Sequence, residues 1–267
     1  MITSTANERI KSIRKLREKK FRSETGTFYI EGIRIVVEAM QAGDQLLTLI
    51  VAPELVQSEV IGEVLGAAQK KRVEVLEVSE VVFESFSLKD GPQGVAAIVK
   101  QKWDSITDVD WKQPGLWVGL DAVADPGNLG TIMRTMDAVA AKGILLVGPC
   151  TDPYDPSAIR ASMGAVFSLK FAKTSVEEMV ELKRSSKVFL VGTSDAAKTD
   201  YQGINYPKNM VLMMGSERQG LQKSLVDLCN EVVSIPMAGT SDSLNLAVAT
   251  GVMLYEVYNQ HRRKTSA

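Results

Sequence analysis

The sequence predicts an α/β protein in two parts. Residues 1–100 read as a small mixed α/β unit, and residues 116–267 as a mainly parallel sheet covered by helices on both faces. Two observations carry this prediction. From residue 116 onward, short apolar runs alternate with amphipathic helical patterns, as strand–helix–strand units with parallel pairing require. Between the parts, QKWDSITDVDWKQPG at 101–115 is polar, holds Pro114 and Gly115 and breaks the periodicity, which makes it a candidate linker.

In the first part Ile10, Ile13 and Leu16 recur at helical spacing among basic residues, predicting one amphipathic helix over 7–20. A turn at Glu24-Thr25-Gly26 leads into a strand-like TFYIEG and a helix over 33–40. LLTLIVA at 46–52 reads as a buried strand, and 54–70 as a helix with Leu55, Val56, Val60, Ile61, Val64, Leu65 and Ala68 on its apolar side. RVEVLEV alternates as a strand, VVFESF suggests a short helix, and GVAAIVK at 94–100 is the last strand of a unit of normal domain size. In the linker, Trp103 and Trp111 are expected to pin the chain to one domain, the common role of isolated aromatics.

The second part runs GLWVGLDAV, NLGTIMRTMDAVAAK, GILLVG, DPSAIRASMGAVF, SLKFA, SVEEMVELKRS, KVFLVGTS, MVLMMGS, LQKSLVDLC, EVVSIPM and LNLAVATGVMLYEVYNQ. The final helix is expected to turn Leu244, Ala247, Val248, Val252 and Tyr255 to the core. Met253, Leu254, Val257 and Tyr258 then remain as further apolar surface for an interface.

Composition removes several classes. The chain is 45% hydrophobic and 24% charged, ordinary for a globular protein, with no apolar run near the ~20 residues of a membrane helix. Its basic start lacks the apolar centre of a secretory signal and keeps acidic residues, so a cytoplasmic location is expected. Cys150 and Cys229 lack metal-type spacing and read as inert thiols, and a single histidine, His261 in a polar tail, leaves no material for a histidine triad or metal site. No metal is expected. The net charge of -1 hides a cluster of Arg9, Lys11, Arg14, Lys15, Arg17, Lys19, Lys20 and Arg22, opposed in that span by Glu18. Such a run is either a phosphate-binding footprint or a solvated helix face.

Three segments carry candidate chemistry. In DAVADPGNLGTIMRTMDA, 121–138, a Pro-Gly turn feeds a helix with Asn128 as its expected N-cap, Gly130 for close backbone approach and Arg134 further along the helix. It lacks the glycine spacings of dinucleotide and P-loop motifs. In GSERQGL, 215–221, Gly215 ends a strand and Glu217 projects from the turn. In SIPMAGTSDSLNLAVATG, 234–251, Ser243 is the expected cap of the last helix. The runs 210–214 and 232–235 end at the second and third segments, where open α/β sheets collect ligands outside the carboxyl ends of their strands. Each segment alone could be structural.

In this order and at these separations the segments closely resemble the three motifs of the SpoU (TrmH) family of RNA ribose 2'-O-methyltransferases, in the SPOUT superfamily. The matching residues are Asn128, Gly130 and Arg134; Gly215, Glu217, Gly220 and Leu221; and Ile235, Pro236, Met237, Ser243, Leu244 and Asn245. DPYDPSAIRASMGAVF, with Arg160, Ser162 and Gly164, is similar to the family's intervening segment. TGTFYIEGIRIVVEAM looks like its accessory substrate-binding domain, a ribosomal-protein-like α/β unit. That likeness shifts the basic run, with Arg34 and Arg160, toward RNA contact.

The resemblance implies methyl transfer from S-adenosylmethionine to a ribose 2'-hydroxyl, with large-subunit ribosomal RNA favoured over tRNA. It also implies a deep trefoil knot and a site completed across a homodimer. Thr193, Gly215, Ile235, Met237 and Leu244 would hold the cofactor, with Leu212 and Ile235 walling the adenine. Arg134 would clamp phosphate and alkoxide, since a guanidinium stays charged, with direct abstraction of the hydroxyl proton by Arg134 as the other role the resemblance allows. Asn128, Ser243 and Asn245 would orient ribose or cofactor, and Glu217 would hold the loops or Arg134. Two positions depart from the family pattern: Ala122 stands where a polar residue is frequent, and Arg218 where glycine is frequent and a permissive backbone is expected. A catalytically idle RNA-binding or ribosome-assembly protein, a tRNA enzyme and a base-methylating knotted enzyme remain as alternatives.

Overall fold

The computed structural model describes residues 1–43 and 45–265. In chain order the elements begin α1 (Glu8–Lys15), α2 (Lys19–Thr25), β1 (Thr27–Glu31), α3 (Ile33–Gln41), β2 (Leu46–Val51), α4 (Ile61–Lys70), β3 (Glu74–Glu77), α5 (Glu80–Glu84) and β4 (Val95–Lys100). They continue β5 (Gly115–Asp121), α6 (Pro126–Ala138), β6 (Gly143–Val147), α7 (Pro156–Ser162), β7 (Lys170–Thr174), α8 (Val176–Ser186) and β8 (Phe189–Thr193). Then follow β9 (Thr199–Asp200), β10 (Asn209–Met214), α9 (Lys223–Val226), β11 (Glu231–Ser234) and α10 (Leu246–Thr265). Two compact units result: residues 1–101 with 154–167, and residues 102–153 with 168 onward. The segment carrying α7, contiguous in sequence with the second unit, thus belongs to the first.

The first unit is a sheet of order β1-β4-β2-β3, antiparallel except for the β2–β3 pair. Ile10, Ile13 and Leu16 are buried as their spacing predicts, packing with Tyr29, Ile50, Phe83 and Phe86. The expected single helix over 7–20 is instead two. Arg22, 1% exposed, donates from Nη1 to the carbonyls of Leu16 (3.0 Å) and Arg17 (2.7 Å), satisfying groups freed where α1 ends, and pairs through Nη2 with Asp155 (3.3 Å). The expected helix over 54–70 is likewise a 3-10 turn at Pro53–Leu55 followed, after extended backbone at Val56, by α4, which buries Val64 and Ala68.

The second unit is a seven-stranded sheet of order β7-β6-β5-β10-β8-β11-β9 in which every pair is parallel. The chain steps outward from β5 to β6 and β7, then returns to place β10 beside β5, so strand order reverses between them. The stretch expected as a linker is part of this unit. Asp104 N–H bonds the Phe171 carbonyl (2.8 Å), Trp111 is buried 5.1 Å from the Trp117 ring centre, and Lys173 Nζ lies 4.1 Å from the Trp103 ring centre. Both tryptophans pin the segment.

The last helix presents its faces differently from expectation. Ala247, Met253, Leu254 and Val257 are buried, whereas Leu244, Val248, Tyr255 and Tyr258 are exposed. Apolar residues occupy most of its circumference, so periodicity alone cannot say which side meets the sheet. His261, expected in a polar tail, lies in α10 with Nε2 within 3.2 Å of the Tyr206 carbonyl and 3.1 Å of the Pro207 carbonyl. Neither cysteine forms a disulfide, and burial pushes the Cys229 thiol up to about 12, which keeps it unreactive. No helix among the described residues is long and apolar enough to cross a membrane.

Candidate functional site

The carboxyl ends of β8, β10 and β11 open into a cleft of about 600 Å³. Its size falls in the ~300–1,000 Å³ range of small-molecule sites. Thr193, Gly215, Ile235, Met237 and Leu244, the five residues expected to hold a cofactor, all line it, as do Glu217, Ser243 and Asn245. Leu212 does not line it: this side chain, expected against the adenine, is fully buried in β10. Met214, Leu221 and Val233 supply apolar wall in its place, and Asp195 and Asp242 add carboxylates.

The loop after β10 is built by backbone. Ser216 and Gly220 exchange two N–H···O bonds of 3.1 Å, closing residues 216–220 into a tight turn, with Gly220 at φ +65. Arg218 needs no left-handed conformation, because Gly220 takes it. A Cβ on Gly215 would overlap the carbonyl carbon of Gly220 and the amide nitrogen of Leu221, so only glycine permits this turn to fold back on its strand.

Three separate segments meet at the rim through one chain of hydrogen bonds. Asn128 Nδ2 donates to Glu217 Oε1 (3.0 Å), and Asn245 Nδ2 donates to Asn128 Oδ1 (3.0 Å). The caps differ from expectation. Asp125, not Asn128, caps α6, its Oδ1 accepting the Asn128 N–H at 2.6 Å. Asn245, not Ser243, caps α10, its Oδ1 accepting from Ala247 (2.9 Å) and Val248 (3.3 Å). An asparagine that caps with its oxygen keeps its amide hydrogens for the neighbouring loop, which is how Asn245 serves both. Sequence reading gave no partner to the buried Asp121 at the end of β5. It accepts from the Gln222 N–H (2.9 Å) and Nε2 (2.7 Å), tying the start of α9 to the sheet; an apolar strand ending in a single carboxylate was the available signal. Ala122, next in the chain, takes φ 51, a strained setting for a residue with a Cβ.

Burial raises the Glu217 carboxyl, but the Asn128 hydrogen bond and the backbone N–H groups of Glu217, Ala124 and Asp125 outweigh it. The net shift is below the usual carboxylate value. A depressed carboxyl contributes stability above its unfolded pKa, about 4.3 for Glu, and loses it as pH falls through the lower folded value. The thermal midpoint of wild type relative to Glu217→Gln is therefore expected to be constant above about pH 5 and to shrink below about pH 4. A difference that instead grows on acidification would show that Glu217 is not held as the anion.

Arg134 stands apart. It is exposed on α6, which packs against α10, does not line the cleft of its own chain and has no hydrogen-bond or ionic partner among the described residues. Glu217 does not hold it, being engaged with Asn128. The basic run divides too. Arg22 is buried and structural, a correction to its expected RNA contact. Arg9 pairs with Glu74, Lys11 with Glu8, and Lys20 with Glu24; Arg14 bonds Ser85, and Arg17 bonds the Phe86 and Ser87 carbonyls. Lys15, Lys19, Arg34 and Arg160 are exposed.

The fold and the cleft define a class: an α/β protein with an all-parallel sheet whose strand ends frame a small-molecule site, cross-tied by amides and one carboxylate. Residues 115–255 match the SpoU rRNA Methylase family and residues 7–97 the MRM3-like substrate binding domain, and the chain belongs to the SpoU family. A crystal structure of AdoMet-bound rRNA methyltransferase from Sinorhizobium meliloti is 39% identical, covers 97% of each chain and superposes with a TM-score of 0.90. The 23S rRNA (uridine(2479)-2'-O)-methyltransferase of Streptomyces viridochromogenes is 30% identical over 90% of this chain and 85% of its own length. The 23S rRNA (guanosine(2553)-2'-O)-methyltransferase RlmP of Bacillus subtilis is 27% identical over 96% and 98%.

Proposed function

We propose that this protein transfers the methyl group of S-adenosylmethionine to a ribose 2'-hydroxyl of ribosomal RNA, in the large subunit. The observation that carries the reading is the Glu217–Asn128–Asn245 chain, which brings the three motif segments together at the rim of the cleft. The relatives named above, by their names 23S rRNA 2'-O-methyltransferases and an AdoMet-bound enzyme, support it. So does the matched substrate-binding domain, whose exposed Arg34, Lys15 and Lys19 suit a phosphate backbone. A cytoplasmic location and a knotted second unit accord with this reading.

The cleft fits the cofactor. Gly215 lets the 216–220 turn fold back on the strand end and line the cleft, Leu221, Ile235 and Leu244 offer an apolar seat for a purine, and Asp195 and Asp242 offer acceptors for an ammonium and for ribose hydroxyls. Thr193 and Met237 line the remaining wall. When bound, the cofactor supplies a sulfonium methyl open to attack by an oxygen nucleophile. The chain must then make a weakly acidic hydroxyl nucleophilic. Arg134, always charged, would hold the neighbouring phosphate and stabilise the developing alkoxide, with the proton passing to water. Asn128 has both ends of its amide engaged, so it acts mainly by fixing the loops, with one Nδ2 hydrogen left to donate. Ser243, exposed at the cleft, keeps a hydroxyl for the ribose.

Because Arg134 does not line the cleft of its own chain, the site is completed by a second copy, the two chains meeting through the exposed Val248, Tyr255 and Tyr258 face of α10. Labelled cofactor incubated with ribosomal RNA lacking the modification is expected to yield product resistant to alkaline cleavage at one position. Transfer to a base, or to tRNA alone, would overturn the assignment. Absence of transfer to any RNA by a chain that still binds the cofactor would leave the idle RNA-binding protein as the reading.

A further inference from the structure

The first unit holds a cavity of its own, of about 170 Å³, where β1 runs into α3 under the loop 87–93 and α7. Its lining is mixed. Ile35, Leu88, Ile159 and Met163 supply apolar surface, and Arg34, Lys89 and Arg160 supply cations. Its buried carboxylate is Glu31, 8% exposed, which accepts from Tyr29 Oη (3.0 Å), Ser87 Oγ (2.6 Å) and the Leu88 N–H (2.8 Å). Burial and the neighbouring Glu31 charge raise the Tyr29 hydroxyl well above its ordinary value, so it remains a donor. A carboxylate has about four lone-pair sites, so Glu31, which lines the cavity, has one acceptor position beyond its three donors.

Around the mouth stand three cations, Arg34, Lys89 and Arg160, and one further carboxylate, Glu38. Arg160 Nη2 rests on the Leu88 carbonyl (3.4 Å), and Arg34 is 75% exposed although paired with Glu38 (2.8 Å). Arg17, just past α1, ends on the carbonyls of Phe86 (2.9 Å) and Ser87 (3.0 Å), one residue short of Leu88, which places its cation beside the lip. Gly32, at φ +115, lets the ends of Lys89 and Gln93 close against the edge of the cavity: a Cβ there would lie 2.8 Å from Lys89 Nζ and 3.4 Å from Gln93 Oε1. The cavity is smaller than the ~300 Å³ lower bound for drug-sized ligands, so it admits one ring system rather than a stacked run. Proteins read single-stranded RNA by splaying out bases, seating them against apolar or guanidinium surfaces, hydrogen-bonding their edges and holding the phosphates with cations.

We propose that this cavity receives one unstacked nucleotide of the substrate RNA. The base lies against Ile159 and Met163 with an N–H edge toward Glu31, and the flanking phosphates rest on Arg17, Arg34, Lys89 and Arg160. The proposal rests on the reading that the substrate is RNA. It adds a nucleotide contact beyond the methyl-accepting ribose and so gives the first unit a part in choosing the target.

The test is binding of a short single-stranded RNA of mixed sequence to the full chain across a salt series, with no methyl transfer involved. Gln93→Trp fills the cavity without removing a charge. It is expected to weaken binding about tenfold, the order of one lost base contact, at unchanged salt slope. Arg160→Ala is expected to lower that slope by about 1. A Gln93→Trp chain that binds as wild type overturns the proposal, and so does one whose loss comes entirely with a lower slope, since the cavity would then serve only phosphate. As a second reading on the unaltered chain, RNA carrying 4-thiouridine is expected to crosslink to the peptide holding Ile159 and Met163, and crosslinks confined to other peptides also overturn it. A chain that binds RNA through this cavity yet methylates none would refute the enzymatic reading and leave this one standing.

Discussion

Arg134→Ala is expected to lower methyl transfer about 100- to 1,000-fold, the usual cost of removing one donor that stabilises a developing oxyanion. Cofactor affinity and the thermal midpoint should stay near wild type. The asymmetry follows from where Arg134 sits. It is exposed, makes no hydrogen bond or ion pair among the described residues and does not line the cleft of its own chain. Its removal therefore costs neither packing nor a cofactor contact. Single-turnover transfer with labelled cofactor, paired with calorimetry of cofactor binding, separates the two quantities. Arg134→Lys should recover only part of the rate, because an ammonium lacks the planar fork that grips phosphate in two places. Loss of cofactor binding in the alanine variant would move Arg134 from substrate clamp to cofactor ligand. In mixed dimers of Arg134→Ala with a chain carrying Gly215→Ala, recovery of activity is the outcome expected of a site shared between two copies.

Gly215→Ala should act in the opposite way, abolishing tight cofactor binding before any chemistry. Its added methyl group would overlap backbone atoms of Gly220 and Leu221, which no side-chain rotation can relieve. Overpacking of this kind costs about 1–3 kcal/mol, here concentrated on the turn closed by the two Ser216–Gly220 bonds. The expected result is a loss of cofactor affinity of roughly ten- to a hundredfold and a fall of several degrees in the thermal midpoint. Gly239→Ala is the control: a Cβ at Gly239 meets nothing within 4 Å, so the same chemical change there should be silent. Equal effects at both glycines would mean that general loop stiffening, not the Gly215 turn, controls binding.

The parallel architecture of residues 116–267 was legible because alternating strand and helix periods leave few other ways to bury both faces of a sheet. The five residues expected to hold a cofactor were singled out through the family resemblance, and they do share one cleft. The caps were misread at both helices for one reason. Asn128 and Ser243 are good capping residues, but Asp125 and Asn245 are equally good, and local sequence cannot rank neighbours of similar propensity. Arg22 was misplaced for a related reason: a charge run shows its density, not which member turns inward to satisfy the carbonyls at the end of α1.

By itself, then, the sequence determined the class of most elements, the family and the strand ends where the cleft opens, since periodicity and ordered motifs are properties of the chain in one dimension. Tertiary structure decided what depends on long-range partners. It chose which face of α10 is core, since Met253, Leu254 and Val257 could be buried only by leaving Val248, Tyr255 and Tyr258 exposed. It joined Asn128 to Glu217 and to Asn245 across 89 and 117 residues of chain. It also gathered Glu31, Lys89 and Arg160 around one cavity. Hydrogen bonds and contacts over such separations exist only after loop-closure entropy has been overcome by the fold as a whole, and no local pattern records them.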